Sequence, residues 1–236
     1  MVMRALARQT RHRPAERRTV PGQPIGCRAG WTETLPTMTA DLESHPADPL
    51  RLFADTLEAA RRVCQNDPTA MVLSTVDARG RPASRYVLLK DVDSRGFAFY
   101  TNLSSRKAAE LAQHPGAALC FLWPPLGKQI RIEGTVEPVS DAEADAYFAS
   151  RPRSHQLGAW ASRQSATLAS REELEERYRK YERRFEGGPV PRPDFWSGYR
   201  VVPDQIEFWT MRPDRLHDRI VYRLTGAQWT HERIYP

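Results

Sequence analysis

The sequence predicts an α+β domain built on an antiparallel sheet or barrel with flanking helices, and two observations carry that expectation. Strand-like runs outnumber helical ones without the regular alternation a doubly wound fold needs, and turn segments such as Asp77-Ala78-Arg79-Gly80 and Asp93-Ser94-Arg95-Gly96 separate them. There is also no GxGxxG or GxxxxGKS/T loop, which removes the two commonest nucleotide-binding designs.

The elements follow in order. Asp48 is suited to cap a helix over about 49–65, with Pro49 in the first position and Leu50, Phe53 and Leu57 at helical spacing. Strand-like runs at Ala70 to Val76, Ser84 to Lys90 and Phe97 to Thr101 read as an antiparallel meander. A short helix is expected over about 105–113 behind Ser104, then strands near Ala117 to Leu122 and Gln129 to Pro138. Capping boxes at Ser140 to Glu143 and Ser170 to Glu173 open helices reaching about Ser150 and Phe185. The second carries an apolar stripe of Leu174, Tyr178, Tyr181 and Phe185, with Glu175/Arg179 and Glu176/Lys180 spaced as surface pairs. After a Pro-rich linker at 189–193, strands fit about 199–202, 205–210, 216–223 and 228–234.

The chain has 236 residues, 40% hydrophobic and 27% charged, enough to bury a sizeable core. No apolar run is long enough to span a membrane and no secretory leader is recognisable, so the expected location is cytoplasmic. Cys27, Cys64 and Cys120 are far apart and in no metal-ligand spacing, so reduced, buried thiols are expected and no metal site. The net charge of +6 looks at first like a nucleic-acid signal. Residues 1–37, however, hold seven arginines against Glu16 and Glu33, leaving the rest nearly neutral. Residues 1–47 therefore read as a basic, disordered tail, with Met38 as a candidate start of the reading frame, and no nucleic-acid partner is expected.

Four features can carry chemistry. Arg106 and Lys107 follow Ser104 and Ser105 at a helix start, where the helix dipole favours anions rather than cations. They fit a phosphate held at that end, or simple exposure to solvent. Arg85 and Lys90 bracket an apolar strand and point to opposite faces if it is regular, or they mark an edge strand. Tyr147 and Arg151 lie one helical turn apart, before Pro152, as an anion clamp or a surface pair. Finally, Arg215, His217 and Arg219 would share one strand face after Trp209, a grouping that invites an anion or an electron-rich ring.

Together these residues resemble the pyridoxamine 5'-phosphate oxidase family. The resemblance rests on Arg85 to Lys90 (RYVLLK), Phe99-Tyr100-Thr101-Asn102, Ser105-Arg106-Lys107, Gln129 and Ser150-Arg151-Pro152-Arg153. It continues through Gln156 to Trp160, Arg163-Gln164-Ser165, Phe195-Trp196, Ile206 to Trp209 and Arg215 to Arg219, and covers about Asp48 to Pro236. It implies an FMN-binding split β-barrel, antiparallel and Greek-key-like, forming a homodimer with FMN at the subunit interface. By the same resemblance Arg85, Lys90, Tyr100, Thr101, Arg106, Lys107, Gln129, Gln164, Ser165, Trp209 and Arg219 match cofactor-binding positions. Lys90, Tyr147, Arg151, His155, Arg215 and His217 match substrate-binding positions, the first four around its phosphate and the last two against the reacting ring as the catalytic pair.

The implied reaction is oxidation of pyridoxamine or pyridoxine 5'-phosphate to pyridoxal 5'-phosphate by hydride transfer to flavin N5, with dioxygen reduced to hydrogen peroxide. A phenazine-biosynthesis flavin oxidase and a non-catalytic flavin-, haem- or pyridoxal phosphate-binding split barrel are the alternatives. Lys90 and the Arg151 to Trp160 stretch look like the vitamin B6 type, and the presence of both Arg215 and His217 favours an enzyme. His155 stands where the family often has Ser, and Thr210 where Gln, His or Gly is usual. The Arg- and Tyr-bearing segment that closes over substrate in some members is not recognisable in residues 1–47.

Overall fold

A computed structural model describes residues 46–236, so the expectations for the basic tail, Cys27 and a start at Met38 fall outside the described residues. Helix α1 (Pro49–Val63) starts where the Asp48 carboxylate accepts hydrogen bonds from the backbone N–H groups of Leu50 and Arg51, with Pro49 in the first turn. Its apolar face inserts Phe53, Leu57 and Ala60 into the main core. The Phe53 ring lies edge-on to Phe97 and Phe121, at centroid distances of 4.8 and 5.0 Å.

Strands β1 (Ala70–Val76), β2 (Pro82–Leu88), β3 (Asp91–Asp93) and β4 (Gly96–Asn102) precede helix α2 (Arg106–Gln113). Strands β5 (Gly116–Trp123) and β6 (Lys128–Pro138) follow, then helices α3 (Asp141–Ser150), α4 (Arg153–Ala161) and α5 (Arg171–Arg184). Strands β7 (Trp196–Thr210), β8 (Asp218–Thr225) and β9 (Gln228–Arg233) end the chain. The described strands form one antiparallel sheet in the order β2-β1-β5-β6-β7-β4-β3, with β8 pairing β7 and β9 pairing β8. Alternate residues point inward: Met71 and Leu73 on β1, Leu119, Phe121 and Trp123 on β5, Ile130 and Ile132 on β6.

β7 organises the sheet. It pairs with β6 along almost its whole length, while its other edge pairs with β4 through residues 196–201 and with β8 through 205–210. The switch occurs at a bulge where Glu133 faces Gln205 and Gly134 faces Pro203, so that Asp204 is looped out. A Cβ at Gly134 would lie 2.1 Å from the Val202 carbonyl oxygen, so only glycine permits this approach. A second core lies beneath α3, α4 and α5, where Phe148, Leu157, Val190 and Trp196 pack with Tyr178, Tyr181 and Phe185.

Several expectations are corrected. β2 pairs only with β1, and β4 pairs with β3 and β7, so the first strands are not a meander. β2 spans Pro82–Leu88 rather than 84–90, which leaves Lys90 beyond its end. Ser105, not Ser104, caps α2, and without a side-chain hydrogen bond. The Ser140 capping box is complete, whereas the Glu173 carboxylate accepts from Ala169 N–H instead of that of Ser170. The ion pair seen on α5 is Arg171 with Glu175 rather than either expected pair. Pro203 does not divide 199–210 into two strands, because the bulge absorbs it. Cys64 and Cys120 are free and half-buried rather than buried. No helix among the described residues is long and apolar enough to cross a membrane.

An ion network centred on one buried arginine joins the helical layer to the sheet. Arg200 of β7, 2% exposed, donates to Asp93 Oδ1 at 3.0 Å and to Glu143 Oε1 at 2.7 Å. Arg95 donates to the same two carboxylates. The Ser140 backbone N–H, its hydroxyl and Arg95 hold the Glu143 carboxyl at about 2, well below its ordinary 4.5. Because the folded value is depressed, the stabilisation is complete above about pH 4.5 and is lost as pH falls towards 2. Urea midpoints are expected to drop across that window and to drop less in Glu143→Gln; an unaltered pH slope in the variant would contradict this account.

Candidate active site

The candidate residues fall into three patches of direct contact. The first gathers where β4 runs into α2. The Lys107 ammonium, 9% exposed as a residue, donates to Gln164 Oε1 at 2.8 Å, Thr101 Oγ1 at 3.2 Å and Ser105 Oγ at 3.3 Å. Thr101 Oγ1 donates to the same Gln164 oxygen, and the Arg106 backbone N–H donates to Ser165 Oγ. Ser165 sits at φ 73, a left-handed backbone conformation that costs energy without glycine and turns its hydroxyl to the helix start. Burial, followed by the charge of Arg85, pushes the Lys107 ammonium below its ordinary value.

Beside Lys107 lies Glu110, 5% exposed, one turn further along α2. It accepts from Arg106 Nε at 2.7 Å, Arg85 Nη2 at 2.9 Å and Thr75 Oγ1 at 2.5 Å. Arg85 Nη1 in turn donates to Thr75 Oγ1. Burial opposes ionisation of Glu110, but these hydrogen bonds outweigh it and hold its carboxyl below the ordinary range. Arg85, Arg106 and Lys107 therefore surround one carboxylate, leaving an excess of two positive charges at a helix N-terminus.

The second patch is aromatic with a cation set into it. Tyr100 stacks on Tyr147 at 4.1 Å and on Trp196 at 5.5 Å. Gly198 lies beneath, where a Cβ would come within 2.7 Å of the Tyr100 ring. Arg151, the C-cap of α3, holds its guanidinium 4.8 Å from the Trp196 ring and 5.5 Å from that of Phe148. Pro152 ends α3 there and α4 starts at Arg153, fixing the Arg151 backbone between two helices. Among the described residues, Arg151 Nη1 is the one buried side-chain nitrogen or oxygen without a hydrogen-bond partner. Burial lowers the tendency of this guanidinium to carry charge.

The third patch runs across β6, β7 and β8, where Gln129, Trp209 and Arg219 are successive cross-strand partners. Cys120 Sγ donates to Gln129 Oε1 at 3.3 Å. Arg219 is held by Glu207, 3% exposed, through bonds of 2.7 and 3.1 Å, and Arg131 reaches the same carboxylate. The His217 ring packs 4.5 Å from Trp209, and its Nδ1 accepts from the Arg212 N–H, leaving the neutral ring's proton on Nε2. The expected single strand face of Arg215, His217 and Arg219 is not formed. β8 begins at Asp218, and Arg215 lies in a short turn at φ 62 after Asp214 at φ 56. The turn exposes Arg215 and is closed by the Arg212–Asp218 ion pair.

Thus the structure gathers Arg85, Thr101, Arg106, Lys107, Gln164 and Ser165, joins Tyr100 to Tyr147 and Arg151, and aligns Gln129, Trp209 and Arg219 with His217. Lys90 and His155 are exposed; the Lys90 N–H donates to the Ala98 carbonyl of β4 and the His155 N–H to the Pro152 carbonyl at the start of α4. Thr210 accepts a hydrogen bond from Lys128 Nζ at the end of β7. Sequence reasoning missed Glu110 and Glu207, the carboxylates that hold the arginines, although Arg106/Glu110 has helical i,i+4 spacing.

Comparison with known proteins bears on all three patches. A family model described as pyridoxamine 5'-phosphate oxidase matches residues 57–184, and one described as the pyridoxine 5'-phosphate oxidase C-terminal dimerisation region matches 196–236. The chain is 56% identical over 191 residues to the pyridoxine/pyridoxamine 5'-phosphate oxidase of Myxococcus xanthus, covering 81% of this chain and 93% of that one. It is 57% identical over 194 residues to the protein of the same name from Rhodospirillum rubrum, covering 80% and 96%. PhzG from Burkholderia lata, solved with tetrahydrophenazine-1-carboxylic acid, superposes with a TM-score of 0.78 at 32% identity, covering 82% of this chain and 95% of that one. By fold, by matched residues and by relatives, the chain belongs to the pyridoxamine 5'-phosphate oxidase family and has its split-barrel architecture.

Proposed function

We propose that this protein oxidises pyridoxamine 5'-phosphate and pyridoxine 5'-phosphate to pyridoxal 5'-phosphate with FMN as cofactor, reducing dioxygen to hydrogen peroxide, as a homodimer with FMN at the subunit interface. The observation that carries the reading is Arg151: a half-buried guanidinium backed by the rings of Trp196 and Phe148, with no carboxylate partner among the described residues, is suited to meet an anion. Because the Lys107 patch is a separate cationic site, the chain offers one anion site for the FMN phosphate and another for a phosphorylated substrate. A module that only stores flavin has no use for the second.

Arg85, Arg106 and Lys107 would hold the FMN phosphate, with Thr101, Gln164 and Ser165 completing the donor set. Tyr100, Gln129, Trp209 and Arg219, and Lys90 from the end of β2, are the remaining groups assigned to the cofactor. The segment matching the dimerisation region includes Trp209, Arg215, His217 and Arg219, which supports a site assembled at the subunit interface. FMN, when bound, supplies the two-electron acceptor and the route of those electrons to dioxygen.

The protein's part is position and electrostatics. Arg151 and Tyr147, with Lys90 and His155, would anchor the substrate phosphate away from the reacting carbon, so that binding energy is used for alignment. His217, with its ring proton on Nε2, meets the pyridine ring as a hydrogen-bond donor, its plane set by Trp209 and the Arg212 N–H. Arg215 reaches that ring from a turn whose left-handed backbone fixes its direction. The phenazine-type alternative has weaker support, since relatives named for vitamin B6 phosphates stand at 56% identity and PhzG at 32%.

Visible spectra of the FMN-loaded protein, taken without oxygen, test the reading. Adding pyridoxine or pyridoxamine 5'-phosphate is expected to bleach the flavin bands, with recovery in air and formation of an aldehyde. Arg215→Ala and His217→Ala should each slow that bleaching by at least about 10-fold, as the loss of one oriented hydrogen bond implies. A flavin that stays oxidised with both compounds would refute the assignment.

Arg151→Met separates binding from folding. Removing a buried guanidinium with an unpaired nitrogen should change unfolding free energy by less than about 1 kcal/mol, since the lost cation–π contact offsets the relieved desolvation. It should raise KM for pyridoxine 5'-phosphate about 100-fold, the loss of a charge-assisted contact. Urea unfolding and steady-state kinetics give the two readouts, and an unchanged KM would remove Arg151 from the substrate site.

A further inference from the structure

We infer that Glu110 is a positioning residue for the phosphate cradle, fixing Arg85 and Arg106 in place and trimming the charge of the cluster to suit a phosphate monoester. The inference rests on the reading of the Lys107 patch as the FMN phosphate site. Its ground is the bonding of one buried carboxylate. Oε1 accepts from Arg106 Nε, and Oε2 accepts from both Arg85 Nη2 and Thr75 Oγ1. Thr75 also accepts from Arg85 Nη1, so the guanidinium of Arg85 is gripped on two nitrogens by a pair that are themselves bonded. β1, β2 and α2 thereby meet at a single side chain, and Arg85 cannot swing away from α2 without breaking this set.

Charge points the same way. Arg85, Arg106 and Lys107 without Glu110 would present three positive charges within a few side-chain lengths, two of them on side chains largely withdrawn from water. Such a group would repel itself in the empty protein. With Glu110 ionised the excess is two, the charge a phosphate monoester carries above its second pKa of about 6. The carboxylate also counters the fall of the Lys107 ammonium that burial and Arg85 impose.

The consequence runs against simple charge counting. Removing a negative group beside an anion site should tighten anion binding if proximity alone mattered. Glu110→Gln instead turns an amide NH2 towards guanidinium donors whichever way the amide is set, so Arg106 or Arg85 loses its acceptor and the cradle opens. Thr75→Val removes one link of the same set at constant charge and similar volume.

The test is titration of the flavin-free full-length protein with FMN and with riboflavin, which lacks the phosphate, followed by quenching of flavin fluorescence. In Glu110→Gln, FMN affinity is expected to fall 10- to 100-fold while riboflavin affinity stays within about 2-fold. Thr75→Val is expected to lower FMN affinity about 3- to 10-fold, again sparing riboflavin. FMN bound as tightly as before, or more tightly, by Glu110→Gln would overturn the inference. So would equal losses for both flavins, which would mark Glu110 as a general support of the fold. A wild-type protein with no preference for FMN over riboflavin would overturn the phosphate assignment itself.

Discussion

The pairing of β7 is the constraint on which the rest of the molecule depends. One strand serves β6 on one edge and two different strands, β4 and β8, on the other, and it can do so only because its direction changes at the Gly134–Pro203 bulge. Backbone meets backbone there with no room for a Cβ. The half of β7 beside β4 carries Trp196 and Gly198 into the aromatic wall around Arg151, and the half beside β8 carries Glu207 and Trp209 into the third patch. Because the bulge inserts Asp204, the side-chain alternation shifts there: Tyr199 and Val201 before it and Ile206 and Phe208 after it all face the main core, and Trp196, Gly198, Glu207 and Trp209 take the opposite face.

The cations are held in two contrasting ways. Arg85, Arg106, Arg200 and Arg219 are each tied to a carboxylate, and the carboxylates of Glu110 and Glu207 are nearly buried. Such pairs recover little net stability after desolvation, but breaking one strands the other, so they fix direction more than they stabilise. Among the described residues Arg151 has no carboxylate partner. Its guanidinium rests on ring faces, and one nitrogen waits without a partner. The contrast separates cations fixed by carboxylates from one fixed by ring faces.

Much of this was legible in the sequence, for physical reasons. Element types and most boundaries followed from hydrophobic period and caps: Asp48 and Ser140 do what their side chains are suited to do, and Ala70–Val76 forms the strand its alternation indicates. The residues that gather in the first and third patches were legible through a pattern of spaced motifs. Strand partners were not, because whether β4 lies beside β2 or β7 depends on closure of the sheet and leaves no local mark. The same holds at Pro203, which reads as a strand end unless the bulge opposite is known, and at Arg215, whose left-handed backbone no residue preference announces, although Pro213-Asp214 before it marks a turn. Glu110 and Glu207 were invisible for a different reason: an acidic residue in a helix or strand signals solvent exposure, and only the fold reveals that cations surround it.

Net charge illustrates how composition and site can diverge. The arginine excess sits in residues 1–37, and residues 38–236 are almost neutral. Within these residues the sheet and the N-terminus of α2 concentrate an excess of two positive charges around one short segment, while Arg131 and Arg219 are balanced by Glu133 and Glu207 at another. Electrostatic focusing in a partly buried cleft depends on this local sum and on the low polarisability of its walls, not on the total. Under the proposed function, a protein that handles two phosphorylated compounds needs no basic surface, only a few cations aimed inward and held by carboxylates.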